Sequence, residues 1–320
     1  MEPIRDQYGR SFRTLRVSLL SQCNLGCAYC VAAEKDVRGL NDSPGHRGLA
    51  VRELLGLIHR LHGQLGLETV RLTGGEPLLY PALAELVEGI RGMGIGRIKL
   101  TTNGTLLERK AATLRRAGLE SVNVSMDAVD ETVFAKMSRR NVLHQVIAGL
   151  DAALTAGLDV KLNAVLMKGV NEDQVLPLLD FARDRGITIR FLEVMAMGHL
   201  YHQAAAFLFT QGEMLEAIGR QYAIRPLDRK ASATARYWET NAGHLFGIIA
   251  NESEPFCRDC DRLRLDSSGN IYGCLSSNHP IALDLEENAG QWSGKLRDAL
   301  AQKQPVKFTG SDLSMLHIGG

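Results

Sequence analysis

Cys23-Asn24-Leu25-Gly26-Cys27-Ala28-Tyr29-Cys30 places three cysteines at spacings of three and then two residues, directly after the apolar run Leu15-Arg16-Val17-Ser18-Leu19-Leu20. Three thiolates so close in the chain can face one metal centre. A four-iron cluster has four corners, so three thiolates leave one iron without a protein ligand and open to a substrate or cofactor. Two bland centres compete for the same residues. A bacterial ferredoxin run carries a fourth cysteine, absent here, and a structural zinc site closes a tetrahedron with four ligands. The nearest spare ligand downstream is His46.

Outward from this stretch, short β-branched runs alternate with longer helical patterns, the βα repeat of a parallel sheet. Strands are predicted at 12–20, 69–73, 97–101, 121–125, 160–166 and 188–194. Apolar residues at three and four spacing predict helices at 51–65, 81–91, 106–117, 142–156 and 172–185, with Gly94, Gly118, Gly157 and Gly186 following as C-cap residues. Six βα units are too few for a complete eight-stranded barrel. The expectation is an open, partial (β/α)6 TIM-like barrel with one side covered by something else.

Chemistry in such barrels sits at the C-terminal ends of the strands, and each predicted strand ends or is marked by polar residues. These are the cysteine loop, Thr73-Gly74-Gly75-Glu76-Pro77, Thr101-Thr102-Asn103-Gly104, Ser125-Met126-Asp127, Lys161 with Asn163, and Glu193-Val194-Met195. In Gly74-Gly75-Glu76-Pro77 two glycines let the backbone approach a ligand, and the glutamate can accept from an ammonium group. An ordinary tight turn is the alternative. Gly92-Met93-Gly94-Ile95-Gly96 follows a helix instead of opening one and reads as a connecting turn, not a phosphate loop.

After Met195 the repeat breaks. Residues 196–250 hold a helix at about 211–221, then Arg225-Pro226 and a weakly patterned region with Trp238 and the run 246–249. The expected division is therefore a core over 1–225 and a C-terminal region over 226–320. That region carries a second triad, Cys257, Cys260 and Cys274, again without a fourth cysteine; His279 is the ligand a zinc ribbon would recruit. Asp261-Arg262-Leu263-Arg264-Leu265 puts both arginines on one face of a strand. That face is either a solvated basic edge or, beside an open iron, a site for a phosphorylated, nitrogen-bearing substrate.

With 37 basic and 36 acidic residues and 6% aromatics, the chain lacks the footprint of a nucleic-acid binder. Met1-Glu2-Pro3-Ile4-Arg5-Asp6 has no apolar signal core and no run reaches the length of a membrane span, so a cytoplasmic protein is expected. In a reducing compartment six cysteines in two compact triads read as two metal sites, not as disulfides.

The first triad, with an aromatic directly before its last cysteine, resembles the cluster motif of the radical S-adenosylmethionine (SAM) superfamily, and Gly74-Gly75-Glu76-Pro77 matches its GGEP element. The resemblance implies that SAM chelates the open iron and that one electron splits it into methionine and a 5′-deoxyadenosyl radical. The segment from Phe256 through Arg262 and Arg264 to Cys274 and Leu275, with the terminal His317-Ile318-Gly319-Gly320, is similar to the GTP 3′,8-cyclase (MoaA) family of molybdenum-cofactor biosynthesis.

That resemblance covers essentially the whole chain. It implies a lyase with two four-iron clusters, on Cys23, Cys27 and Cys30 and on Cys257, Cys260 and Cys274, the second contacting guanine. It implies SAM contacts at Tyr29, Gly75, Glu76, Ser125 and Met195, and GTP contacts at Arg16, Arg71, Thr101, Lys161, Arg262 and Arg264. Arg262, Arg264, Gly319 and Gly320 are the expected catalytic positions, the tail reaching into the site. The implied reaction removes hydrogen from C3′ of GTP and closes the sugar onto C8. A flavodoxin- or ferredoxin-like reductant supplies electrons, and cyclic pyranopterin monophosphate synthase uses the product; a homodimer is left open. Family members usually carry an acidic and a basic residue before the first cysteine; Ser21-Gln22 stands here, which alters the surroundings that tune the cluster. The rival is another radical SAM enzyme with an auxiliary cluster, such as a peptide-modifying one.

Overall fold

Leu15 and Val17 are fully buried while Arg16 between them is not, the period of two that a strand imposes. The computed structural model describes residues 4–32 and 48–320; His46 lies outside the described residues. Six strands follow the expected order: β1 (Thr14–Ser18), β2 (Thr69–Thr73), β3 (Arg97–Thr102), β4 (Ser121–Ser125), β5 (Asp159–Leu166) and β6 (Thr188–Glu193). Between them run α1 (Val51–Leu65), α2 (Leu83–Gly92), α3 (Leu107–Ala117), α5 (Leu143–Thr155) and α6 (Val175–Asp184), with α4 (Glu131–Ser138) inserted before α5.

The helices pack on the sheet through one apolar stripe. In α1 that stripe is Leu54, Leu57, Ile58, Leu61 and Leu65, at helical spacing. Residues 172–174, expected as the start of a helix, instead form a tight 3-10 turn before α6. Gly118 caps α3, and Gly94, Gly157 and Gly186 each take a left-handed conformation just past their helices. Sequence reasoning passed over α4. Its signal is Asp130, whose side chain accepts from the Val133 amide at 2.9 Å as a helix N-cap should.

Beyond residue 196 come α7 (Gln211–Gly219), β7 (Ile224–Pro226), β8 (Arg236–Thr240), β9 (Leu245–Ile249), β10 (Arg262–Leu265), β11 (Asn270–Tyr272), β12 (Ile281–Ala282), α8 (Ala289–Ala301) and the single turn α9 (Met315–Ile318). The sheet has twelve strands in the order β12-β11-β10-β1-β2-β3-β4-β5-β6-β9-β8-β7. It does not close. Two strands from the C-terminal region pair in parallel with the core, β10 against β1 and β9 against β6. The side left open by six βα units is thus flanked by the C-terminal region, which continues the same sheet at both edges. No helix among the described residues is long and apolar enough to cross a membrane.

Candidate active site

A cavity of about 310 Å³ reaches from the C-terminal ends of the parallel strands to the start of β10, and its wall includes all six cysteines. At the first triad, Cys30 and Val31 donate their amides to the Cys27 carbonyl, closing a turn. The end of α4 fastens that loop from outside, since Gly26 and Ala28 donate to the Ser138 and Met137 carbonyls at 3.0 and 2.8 Å. The Leu25 amide and Asn103 Nδ2 point at Cys23 Sγ, at 3.5 and 3.8 Å. Burial raises all three thiols, Cys23 to about 12, and neighbouring thiols and the Asp127 carboxylate add to the rise at Cys27 and Cys30. Asp127 accepts from Tyr29 Oη at 3.0 Å and from the Val165 amide at 2.8 Å.

Gly75 allows a close approach that no other residue permits: a Cβ there would lie 2.0 Å from the Gln22 carbonyl oxygen. Gly75 and Glu76 donate their amides to the Leu20 and Gln22 carbonyls, so this loop is zipped onto the chain leading into Cys23. Gly74 and Gly75 line the cavity, whereas Glu76 does not. The Glu76 carboxylate is fully buried and accepts from the Leu78 and Asn103 amides and from Thr102 Oγ1, at 2.9, 2.7 and 2.6 Å. Burial pushes it up to about 7 in spite of these donors. Here it braces the end of β3 and, through Asn103, the Cys23 sulfur.

Opposite lies a basic belt. Strand register sets Arg264, Arg16 and Arg71 side by side on β10, β1 and β2, and all three line the cavity with Arg262. Like charges directly across a sheet repel. Burial, Arg264, Arg71 and Arg262 hold the Arg16 guanidinium well below its ordinary value; burial, Arg190 and Arg262 lower Arg71 to about 9, and burial and Arg262 lower Arg264 to about 10. Arg16 Nε and Arg190 Nη2 are buried with no hydrogen-bond partner among the described residues. Such a belt demands an anion with several oxygens. Thr101 joins it, accepting from Arg71 Nη1 at 3.3 Å. Lys161 does not: it lies outside the cavity wall, 3.9 Å from Asp159.

At the second triad, Cys260 donates its amide to the Cys257 carbonyl at 3.2 Å, and Arg229 grips Asp259, between the two cysteines, with both terminal nitrogens at 2.9 and 2.8 Å. Arg10 Nη1 donates to the Cys257 carbonyl at 2.6 Å. Burial raises Cys257 to about 11, with Cys274 and Cys260 adding to it; at Cys260 burial also raises, but Arg262 and Lys303 outweigh it and bring the thiol down to about 6. His279, the alternative zinc ligand, is exposed and not on the cavity wall. In each triad three sulfurs face one cavity, a donor set that fits a four-iron cluster with one iron left to a ligand. The chain terminus closes the floor. Arg264 Nη1 donates to the Gly319 carbonyl, Ser18 Oγ to that of His317 at 3.1 Å, and Gly320 reaches the cavity.

Ser125 and Met195 line the same wall, and Asn251 Nδ2 contacts Met195 Sδ at 2.7 Å. Residues 17–182 match the radical SAM superfamily and residues 187–308 the molybdenum cofactor synthesis C family. Over 305 residues the chain is 39% identical to the GTP 3′,8-cyclase of Parasynechococcus marenigrum, covering 88% of this chain and 85% of that one. The chain belongs to the GTP 3′,8-cyclase family of radical SAM proteins. The GTP 3′,8-cyclase of a Synechocystis species is 38% identical over 277 residues, 86% of this chain and 83% of that one. The fold is similar to Streptococcus suis SuiB bound to precursor peptide SuiA, with a TM-score of 0.64, 15% identity and coverage of 90% and 67%. That likeness concerns the fold alone.

Radical SAM membership brings a four-iron cluster and SAM. Several cavity residues escaped the sequence reading. Arg190 lies on β6 between buried Ile189 and Phe191, donates to Asn163 Oδ1 at 2.9 Å, and is given room by Gly247 on β9. Arg16 and Arg71, named through the family resemblance, are likewise charges within a core strand, and that pattern is the signal that could have found Arg190. Asn251 and Lys303 come from loops with no such pattern.

Proposed function

We infer that this protein is a GTP 3′,8-cyclase, converting GTP to (8S)-3′,8-cyclo-7,8-dihydroguanosine 5′-triphosphate in the first step of molybdenum-cofactor biosynthesis. The observation that carries the reading is the cavity itself, whose wall holds both cysteine triads and a belt of arginines, Arg16 among them with a buried nitrogen left unpaired. Cys23, Cys27 and Cys30 would hold the SAM cluster, and Cys257, Cys260 and Cys274 a second four-iron cluster whose open iron meets the guanine. When bound, the first cluster and SAM supply the radical that removes hydrogen from C3′.

The chain's own residues bind, orient and exclude water. Arg16, Arg71, Thr101, Arg262 and Arg264 receive the triphosphate, guanidinium forks matching phosphate oxygens; Arg190 extends that surface. Lys161 lies at the outer end of the same strand face and contributes at longer range. Tyr29, Gly75, Ser125 and Met195 border SAM, with Glu76 acting through the loop it braces. Gly319 and Gly320 bring backbone amides and carbonyls beside Arg264, adding contacts without side-chain bulk. Residues 1–225 form the radical SAM core and 226–320 the region for the second cluster and substrate.

The same reading implies a cytoplasmic protein, a flavodoxin- or ferredoxin-like reductant and cyclic pyranopterin monophosphate synthase as the next enzyme, and leaves a homodimer open. Anaerobic incubation with GTP, SAM and reductant tests it: 5′-deoxyadenosine and the cyclised nucleotide are expected together. Deoxyadenosine formed with a peptide and not with GTP would assign the chain to a peptide-modifying enzyme.

A further inference from the structure

Lys303 is a buried cation that the reaction scheme leaves unused. It is 5% exposed and follows directly on α8. An ammonium group has three donors, and here three partners surround it. Nζ contacts Cys260 Sγ at 3.5 Å, donates to the Arg262 carbonyl, and stands 4.8 Å from the centre of the Phe12 ring. The arginines of the belt differ, since Arg16 and Arg190 each keep a buried nitrogen without a partner. Lys303 is committed to the protein and the sulfur; Arg16 and Arg190 each keep a donor for the substrate.

The placement is built in from several sides. Trp292 and Leu296 anchor α8 in the core, fully buried. Gly273, directly before Cys274, lies so close to the end of that helix that a Cβ would sit 1.6 Å from the Ala299 carbonyl oxygen. The Gly273 amide also donates to Gln302 Oε1 at 3.1 Å. On the other flank Arg10 Nη1 bridges the Gln304 and Cys257 carbonyls, at 3.3 and 2.6 Å. The stretch 302–304 is therefore fastened beside Cys257 and Cys274 while its lysine meets Cys260.

We propose that Lys303 sets the reduction potential of the second cluster through its contact with the Cys260 sulfur. This rests on the two-cluster reading above. A cation and hydrogen-bond donor at a ligating sulfur favours the reduced, more negative cluster and raises its potential. Among the described residues no lysine or arginine contacts a sulfur of the first triad, and the donors at Cys23 Sγ are the neutral amides of Leu25 and Asn103. Lys303 is a positioning and tuning residue, acting through Cys260 without touching the reacting atoms.

The test is an anaerobic redox titration of the reconstituted protein, following each cluster's electron paramagnetic resonance signal, with iron counted in the same samples. K303M removes the charge at nearly constant length. The second cluster's midpoint is expected to fall and the first cluster's to stay, with about eight irons per chain retained; K303R is expected to restore most of the shift. If K303M does not hold the second cluster, K303Q, which keeps a donor without the charge, is read in the same way. An unshifted midpoint at full iron content overturns the proposal, and weaker GTP binding in that same variant would make Lys303 a substrate ligand instead. About four irons per chain in the unsubstituted protein would overturn the two-cluster reading and this proposal with it.

Discussion

The two cysteine triads share a cavity and have opposite surroundings. The first is met by neutral amides and by the carboxylate of Asp127, and its thiols are pushed up. The second is met by Arg262 and Lys303, and Cys260 is drawn down to about 6 against its burial. The difference follows from strand order. β10, which follows Cys260, is paired with β1 so that Arg264 and Arg16 are in register, while the first triad sits over the ends of β4 and β5 near Asp127. A triad beside a carboxylate suits a cofactor carrying its own ammonium and sulfonium charges; one beside Arg262 and Lys303 suits a polyanionic nucleotide.

Substitutions at the triads give the largest separation of the two. C27A is expected to abolish 5′-deoxyadenosine formation altogether, whereas C274A should keep reductant-driven SAM cleavage and lose the cyclised nucleotide, with iron falling from about eight to about four per chain in each. Loss of both activities in C274A would merge the two sites into one unit. Next in size, R262A/R264A should leave SAM cleavage in place and weaken GTP binding by about 1.5 to 3 kcal/mol for each charged hydrogen bond lost, read by equilibrium binding. Unchanged affinity would remove these arginines from the site.

G75A acts on the first side only. The added methyl meets the Gln22 carbonyl, and overpacking of this kind costs about 1 to 3 kcal/mol, measured as a lower melting temperature with poor retention of the first cluster. Deleting Gly319 and Gly320 should slow turnover severalfold with both clusters assembled; normal turnover would deny the tail a place in the site. The smallest effect is expected from R229A. Its bidentate pair with Asp259 is a quarter to a third exposed, and losing one such charge-assisted bond pair costs about 1 to 2 kcal/mol, seen as a modest loss of thermal stability with the first cluster untouched.

Much of this was legible because parallel βα units announce themselves twice, by β-branched runs and by helical spacing. The strands Thr69–Thr73 and Ser121–Ser125 and the helix Val51–Leu65 emerge with the boundaries read from sequence. What stayed hidden was non-local. Nothing near 245–249 or 262–265 says that these strands pair with β6 and β1, because register across hundreds of residues is fixed by packing and not by pattern. Glu76 shows the same limit from the other side. Its motif pointed to a ligand, while its carboxylate accepts from Thr102 and Asn103 at the end of β3 and from Leu78 in the turn that Glu76 itself caps. Lys303 has no local signal at all and becomes meaningful only when α8 is seated against Gly273.

The most direct measurement is the electron paramagnetic resonance spectrum of a chain whose first triad is replaced by alanines, recorded while GTP is added. With the second cluster alone present, its signal is expected to change in proportion to bound nucleotide, as an iron in the cavity gains the guanine as a ligand. A signal indifferent to saturating GTP, or zinc in place of iron at Cys257, Cys260 and Cys274, would contradict the account.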